Sequence, residues 1–371
     1  MLSVRKNFPV FVTGASGFIG GKLAERLLAD GRRVRVLSRR PLPELEARGA
    51  EVIPGDLHDV HALRRGCASC ETVFHVAGRV GVWGSRREFF RINVEGMRHL
   101  LAACREAAVL RFVYTSSPSV VYTGGDLRNV NESAPLCLHA PCAYPTSKAA
   151  AEAEVLAANG KNFATIALRP HLVWGPGDKN VIPRVLALAR SGRLKIIGAG
   201  ENKVDVTHIA NVIDAHLLAE GALVSGSAAP FRPVAGVADP GPMAQAPDPR
   251  PETQVPNPRP AAGRAFFITN GEPVQLWPWI NNLLMELNEP PVTKHVPLST
   301  AYAAGGVLEA LWRVLPLKGE PPMTRFVAKE MATDHWFDIS AARRDLAYHP
   351  LVTVAEGVKE LVAHYKAGNA Y

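Results

Sequence analysis

Tyr144 and Lys148 are the pair from which chemistry can be built. Four residues apart on a helix, they stack on one face, one turn from each other. An ammonium beside a phenol lowers its pKa toward working pH, so Tyr144 can pass a proton to or from a substrate oxygen. Lys148 also has donors for the ribose of a nicotinamide. Ser117 closes Tyr114-Thr115-Ser116-Ser117 at the end of an apolar run that reads as a strand. Sites in parallel sheets lie at the carboxyl ends of strands, which puts Ser117 where it can orient the reacting oxygen. A tyrosine near a lysine is common by chance. With a glycine-rich turn upstream and Ser117 between, the set suits hydride transfer between a dinucleotide and a secondary alcohol or ketone.

The turn is Thr13-Gly14-Ala15-Ser16-Gly17-Phe18-Ile19-Gly20, which follows a strand and opens a helix. Gly14 permits the tight turn and Gly17 a close approach of backbone N–H groups to a pyrophosphate. Gly20 permits close helix packing, and the helix N-terminus attracts the anion. Ser16, Phe18 and Ile19 complete the lining. The second strand ends in Ser38-Arg39-Arg40, with no acid to accept from a ribose 2′-hydroxyl. Two guanidinium groups suit a 2′-phosphate, so NADP(H) is favoured over NAD(H). Asp56 and Leu57 are expected to flank the adenine, and Ala77 and Gly78 the middle of the cofactor.

The elements that must position these residues alternate strand and helix, the pattern of an α/β, doubly wound parallel (Rossmann) sheet. Strands are expected at Val10–Thr13, Arg33–Ser38, Glu51–Pro54, Thr72–Val76, Arg111–Thr115 and Ala164–Leu168. Helices are expected at Gly17–Asp30 and Pro145–Asn159. Between them Phe90, Val94, Met97, Leu101 and Cys104 recur at steps of three and four, one buried helical face. Residues 1–170 read as the dinucleotide domain, with 203–222 returning to it. Residues 171–202 and 264–371 read as a smaller substrate lobe. Ser225–Gly263, with ten prolines in 39 residues, reads as a flexible insertion. Later helices are expected at Val181–Ser191, Asn211–Glu220 and Trp277–Leu287, and a strand at Ala265–Thr269. Ser299–Leu317 is too short and too charged for a membrane span, and reads as a packed or interfacial amphipathic helix.

Composition narrows the partners. The chain has 371 residues, 47% hydrophobic and 20% charged, with a net charge of +8. Its basic residues are scattered without an aromatic–basic motif, which argues against nucleic acid. Five cysteines imply no disulfide framework, and the Cys67–Cys70 pair has no second pair at zinc spacing, so no metal is expected. No apolar run precedes Pro9, so a cytoplasmic location is expected. Contact with a membrane surface and a homodimer are both compatible with the chain. Trp277, Trp279, Trp312 and Trp336 suggest an apolar ligand for the second lobe.

The chain resembles extended short-chain dehydrogenases/reductases of the 3β-hydroxysteroid dehydrogenase family. The resemblance is carried by TGASGFIG, FHVAG, RINVEGMRHLLAAC, FVYTSSPSVV, AYPTSKAAAE, LRPHLVWGPGD and VDVTHIANVIDAHLLA. It covers nearly everything except the proline-rich stretch. ITNGEPVQLWPWINNLL and HPLVTV resemble sterol-4α-carboxylate 3-dehydrogenases. VWGSRREFF, GRLKIIGAGENKVD and MTRFVAKEMATDHWF resemble bacterial 2-alkyl-3-oxoalkanoate reductases. The resemblance implies Ser117, Tyr144 and Lys148 as the catalytic set, with Asn93 bracing the site and Pro170, His171 and Val173 beside the nicotinamide. Both subgroups handle a 3-oxo or 3-hydroxy acid with a lipophilic group at the α-carbon. Arg79 or His171 is then expected to meet the carboxylate. Two other readings are a nucleotide-sugar epimerase or dehydratase, and a dinucleotide-sensing protein without catalysis.

Overall fold

The structure, a computed structural model, describes residues 8–140, 142–225, 261–315 and 317–368. Seven strands form the main sheet: β1 (Val10–Thr13), β2 (Val34–Ser38), β3 (Glu51–Pro54), β4 (Thr72–His75), β5 (Arg111–Thr115), β6 (Ala164–Pro170) and β7 (Arg264–Ile268). Their spatial order is β7-β6-β5-β4-β1-β2-β3, and every pairing is parallel. The four residues of β1 and the five of β5 are all buried. Such runs belong to strands covered on both faces.

Helices Phe18–Ala29 and Ile209–Ser225 cover one face with Ser340–Leu346, sharing a core of Leu23, Leu27, Ile213, Phe266 and Leu346. Helices Val60–Cys67, Gly96–Glu106 and Ala143–Ala157 cover the other through Leu63, Met97, Leu100 and Val155. Each such aliphatic side chain contributes about 1.5–3 kcal/mol when fully buried. Strand order reverses between β1 and β4, which opens the crevice at their carboxyl ends where ligands bind this architecture.

Two expectations change. The strand after the proline-rich stretch is β7, an edge of the main sheet paired along β6, rather than part of the substrate lobe. Four buried apolar residues, Ala265, Phe266, Phe267 and Ile268, in register with β6, explain the placement. Of the proline-rich reading, Ser225–Gly263, residues 226–260 lie outside the described residues. The helix through Phe90 and Cys104 is also interrupted, because Arg91–Glu95 forms a π-helical turn between Arg86–Phe90 and Gly96–Glu106. Val94, Met97, Leu101 and Cys104 are buried as the spacing required, with Phe90 partly so.

The second lobe has its own core, in which Trp174, Ile182, Trp277, Leu283 and Leu361 meet. Its four-stranded sheet takes Val274–Gln275, Lys203–Val204, His335–Phe337 and Leu127–Val130, side by side in that order. Among the described residues no helix is long and apolar enough to cross a membrane, and no cluster could hold a metal ion. Cys67 and Cys70 are buried free thiols.

Candidate active site

The glycine turn has the shape a pyrophosphate needs. Gly14 has φ +79°, and a Cβ there would lie 2.6 Å from the Ala77 nitrogen. A Cβ on Gly20 would lie 2.3 Å from the Gly14 carbonyl oxygen, so the third glycine lets the helix close onto the turn itself. Gly17 caps the helix Phe18–Ala29 without a side-chain acceptor, which leaves first-turn N–H groups for an anion. Ala77 donates its N–H to Thr13 Oγ1 at 3.2 Å, and Thr13 Oγ1 meets His75 Nδ1 at 2.7 Å. These bonds fix the turn against the end of β4.

Arg39 and Arg40 lie exposed beyond β2, and Arg40 reaches across to donate to the Ser16 carbonyl at 3.3 Å. Asp56 turns back to accept from the His58 N–H at 2.7 Å. The Leu57 side chain is buried, packed where a Gly96 Cβ would lie 2.8 Å away. Phe18 packs into the core beneath the turn, while Ile19 reaches the substrate cavity.

Tyr144 and Lys148 stand one turn apart on the helix Ala143–Ala157. Lys148 Nζ donates to the Thr115 carbonyl at 2.7 Å and lies 4.2 Å from the centre of the Tyr114 ring. One turn further, Glu152 is held by Arg169, Nε to Oε2 at 3.0 Å, with both side chains buried. Breaking such a pair leaves a buried charge, at a cost of about 3–5 kcal/mol. Burial lowers the Lys148 pKa to about 7, opposed by Glu152. Burial likewise pushes the Tyr144 phenol up, opposed by a hydrogen bond with Ser117. The lysine therefore does not bring the phenol down, as the spacing alone had led one to expect. Its ammonium is turned to Thr115, and desolvation prevails. Tyr144 is protonated at neutral pH, the form that donates to a ketone oxygen.

Asn93 sits in the π-helical turn, where a widened helix often marks a functional position. Its Nδ2 donates to Ser147 Oγ at 3.0 Å and to the Arg79 carbonyl at 3.1 Å, and its Oδ1 accepts from the Arg79 N–H at 2.7 Å. It thereby clamps the loop after β4 to the helix of Tyr144. Between them, a Cβ on Gly78 would lie 3.3 Å from Asn93 Oδ1 and 3.9 Å from Lys148 Nζ.

Ser117, Tyr144 and Lys148 line a cavity of about 820 Å³, together with Gly78, Arg79, Pro170, His171 and Val173. Its far walls are apolar, with Leu188, Leu194, Ile197, Met323, Phe326 and Val327. The tryptophans do not line it. Trp277 is core, donating to the Met331 carbonyl at 3.2 Å, and Trp279 packs on Trp174. Aliphatic, methionine and phenylalanine side chains make the cavity apolar instead. Arg79 is paired with Glu88 at 2.9 Å and lies over the Phe89 ring at 5.0 Å. His171 is neutral, its pKa lowered to about 3 by burial and then by His335. Its Nε2 and Ser116 Oγ are buried without a hydrogen-bond partner among the described residues.

Sequence reading missed His75, His216, Tyr122, Glu330 and His335. His75 stacks on Tyr114 at 5.6 Å, and His216 Nε2 meets Thr115 Oγ1 at 2.7 Å, so both brace the floor. The last three line the cavity from elements far apart in the chain. Only His75 had a local signal, its place at the end of a strand four residues before Arg79.

A profile of the 3-beta hydroxysteroid dehydrogenase/isomerase family matches residues 11–236. The chain is 40% identical over 360 residues to a 2-alkyl-3-oxoalkanoate reductase of Shewanella oneidensis, covering 95% of this chain and 85% of that protein. It is 31% identical to the decarboxylating sterol-4-alpha-carboxylate 3-dehydrogenase of Mus musculus, covering 95% and 90%. Among solved structures, MoeE5 in complex with UDP-glucuronic acid and NAD superposes with a TM-score of 0.66 at 25% identity, covering 97% of this chain and 99% of that one. Glycine turn, Tyr144–Lys148 pair and relatives agree. The chain belongs to the 3-beta hydroxysteroid dehydrogenase/isomerase family and is a nicotinamide-dinucleotide oxidoreductase acting on secondary alcohols or ketones.

Proposed function

We propose that the protein catalyses reversible, NADP(H)-linked hydride transfer at the β-carbon of a 3-oxo or 3-hydroxy acid with a lipophilic group at its α-carbon. One observation carries the reading: Ser117, Tyr144 and Lys148 form the floor of an apolar cavity of about 820 Å³ beside the glycine turn. The names of the relatives that cover most of the chain support the acid unit.

The dinucleotide supplies or accepts the hydride. Tyr144, protonated, gives its proton to the ketone oxygen as that oxygen gains charge. Ser117 holds the same oxygen by a hydrogen bond, which fixes the carbonyl over the phenol. Lys148 brings a cationic donor to the ribose. The apolar walls exclude water and strengthen each of these interactions. Arg39 and Arg40 favour the 2′-phosphate of NADP(H), since the second strand offers it no opposing carboxylate. The outward face of the helix Leu298–Val314 exposes Val307, Leu311 and Val314. It supports a peripheral contact with a lipid surface from which such a substrate would come.

The test is purified protein with NADPH and a long-chain 2-alkyl-3-oxo acid. Steady oxidation of the cofactor and recovery of the 3-hydroxy acid are expected. Epimerisation of a UDP-sugar without that oxidation would instead establish the nucleotide-sugar reading.

A further inference from the structure

Glu330 is an acid in a place built for hydrocarbon. It ends the short helix Arg325–Glu330 and lines the same cavity as Tyr144, with Met331 and Phe326. Its side chain is partly buried, with 27% of its surface accessible. Its nearest cationic candidate, His335 Nε2, is 3.8 Å away, beyond hydrogen-bond range, and already meets Thr333 Oγ1 at 2.8 Å. No donor in the described structure satisfies the carboxyl group. A carboxyl group that faces the cavity is satisfied by what the cavity holds.

The groups whose ionisation feels Glu330 are two phenols, a thiol and a histidine. Tyr122, Cys142 and Tyr144 face it closely enough for its charge to raise all three, and His335 opposes its own upward shift by burial. His171 lies behind His335, ring centres 5.9 Å apart. Arg79 is engaged by Glu88, Lys148 by the Thr115 carbonyl and Lys329 by the Gly124 carbonyl, while Arg184, paired with Glu320 at 3.7 Å, and Arg193 and Lys195 line the cavity from the helix Val181–Arg190 and the segment after it, with their side chains exposed. A substrate carboxylate beside Tyr144 thus meets an acid rather than a base. Two carboxylates in one apolar space do not both ionise.

We propose that Glu330 receives the carboxyl group of the substrate, the two sharing one proton in a short acid–carboxylate hydrogen bond. The proposal rests on the 3-oxo acid reading above and refines it. Arg79, which the chain order alone had favoured, is replaced in that role. No bond to carbon is made or broken. An ionised Glu330 and an ionised substrate take up one proton from solvent when they associate, and return it on release.

The experiment compares a 2-alkyl-3-oxo acid with its methyl ester, recording kcat/KM against pH for the wild type, Glu330→Gln and Glu330→Ala. Taking the ester as reference in each protein removes any pH effect on Tyr144 or Lys148. In the wild type the acid-to-ester ratio should fall about tenfold per pH unit on its alkaline limb, the mark of one proton taken up. Glu330→Gln donates an N–H without a proton from solvent, so its ratio should be flat. Glu330→Ala should lower the ratio at acid pH about tenfold or more. A flat wild-type ratio with both compounds reduced overturns the role of Glu330 and leaves the function standing. A Glu330→Gln ratio that follows the wild-type profile does the same. The wild-type profile decides even where a variant fails to fold. Failure to reduce either compound overturns the functional reading, and this one with it.

Discussion

The glycine turn and the cavity floor lie at the carboxyl ends of neighbouring strands, but they are built on different terms. At the turn the protein holds its own groups in place: Thr13 ties His75 to Ala77, Ser38 accepts from the Arg40 N–H at 3.2 Å, and Asp56 is folded back on His58. At the floor, Ser116 Oγ and His171 Nε2 are buried without a hydrogen-bond partner among the described residues. Under the proposed function, the turn is preformed for the pyrophosphate of the dinucleotide. The floor keeps unspent donors and acceptors for a molecule that distinguishes one enzyme from another. Affinity for the common part and selectivity for the variable part are thus assigned to separate ends of one sheet.

The largest effect should come where the two ends meet. Tyr144→Phe removes the proton donor without altering the glycine turn. We expect kcat to fall on the order of 10²–10⁴-fold, with dinucleotide affinity nearly intact. A variant that kept more than about half of its rate would take Tyr144 out of the proton transfer.

At the dinucleotide end the comparison is sharpened by Gly20→Ala. The new Cβ would lie 2.3 Å from the Gly14 carbonyl, a backbone atom that cannot swing aside. Overpacking of this kind costs roughly 1–3 kcal/mol. Dinucleotide binding by titration should weaken by about tenfold or more, since about 1.4 kcal/mol is tenfold. An unchanged Kd would mean that the turn is more yielding than its geometry indicates.

The two ends also differed in how much of them could be read from the chain. The glycine turn, the arginines after β2 and the Tyr144–Lys148 pair are local patterns whose spacing carries their meaning. The strands of the main sheet were legible for the same reason, being short apolar runs between turn residues. The rest of the cavity lining was not. Tyr122, Glu330 and His335 come from a 3₁₀ turn's end, a six-residue helix and a strand of three residues. Nothing in their neighbours' spacing announces that they meet. The pKa of Tyr144 escaped for a related reason, because burial depends on the whole lobe and spacing reports only the lysine.

Lys148 offers a finer test of that balance. Its pKa is lowered to about 7 by burial, so the ammonium is present below that pH and lost as pH rises through it. Tyr144 stays protonated over the same range, its phenol having been pushed up. In the reducing direction, kcat/KM for the reduced dinucleotide, which reports the free enzyme, should therefore decline above about pH 7. Lys148→Arg keeps its charge at every working pH. That variant should be slower because the guanidinium does not fit the ammonium's place, but its decline should vanish. A Lys148→Arg profile with the same alkaline limb would assign the decline to another group.

The smallest effect belongs to the exposed edge of the dinucleotide end. Arg39 and Arg40 are open to solvent, and Arg40 makes one long bond to the Ser16 carbonyl, so neither supports the fold. Their replacement by alanine should leave the unfolding midpoint almost where it was. What it should change is the choice of cofactor. A 2′-phosphate meeting a guanidinium at a solvated surface gains far less than it would in a buried site, because water and salt screen the charge. We expect KM for NADPH to rise about tenfold, equivalent to about 1.4 kcal/mol, while KM for NADH moves little. Raising the ionic strength should erode the preference of the wild type in the same direction, since screening weakens exposed charges first. Equal changes for both cofactors in the double variant would show that the arginines do not read the phosphate. The selectivity of this end would then have to come from other groups, Asp56 and the backbone around Leu57 being the ones the sequence offers.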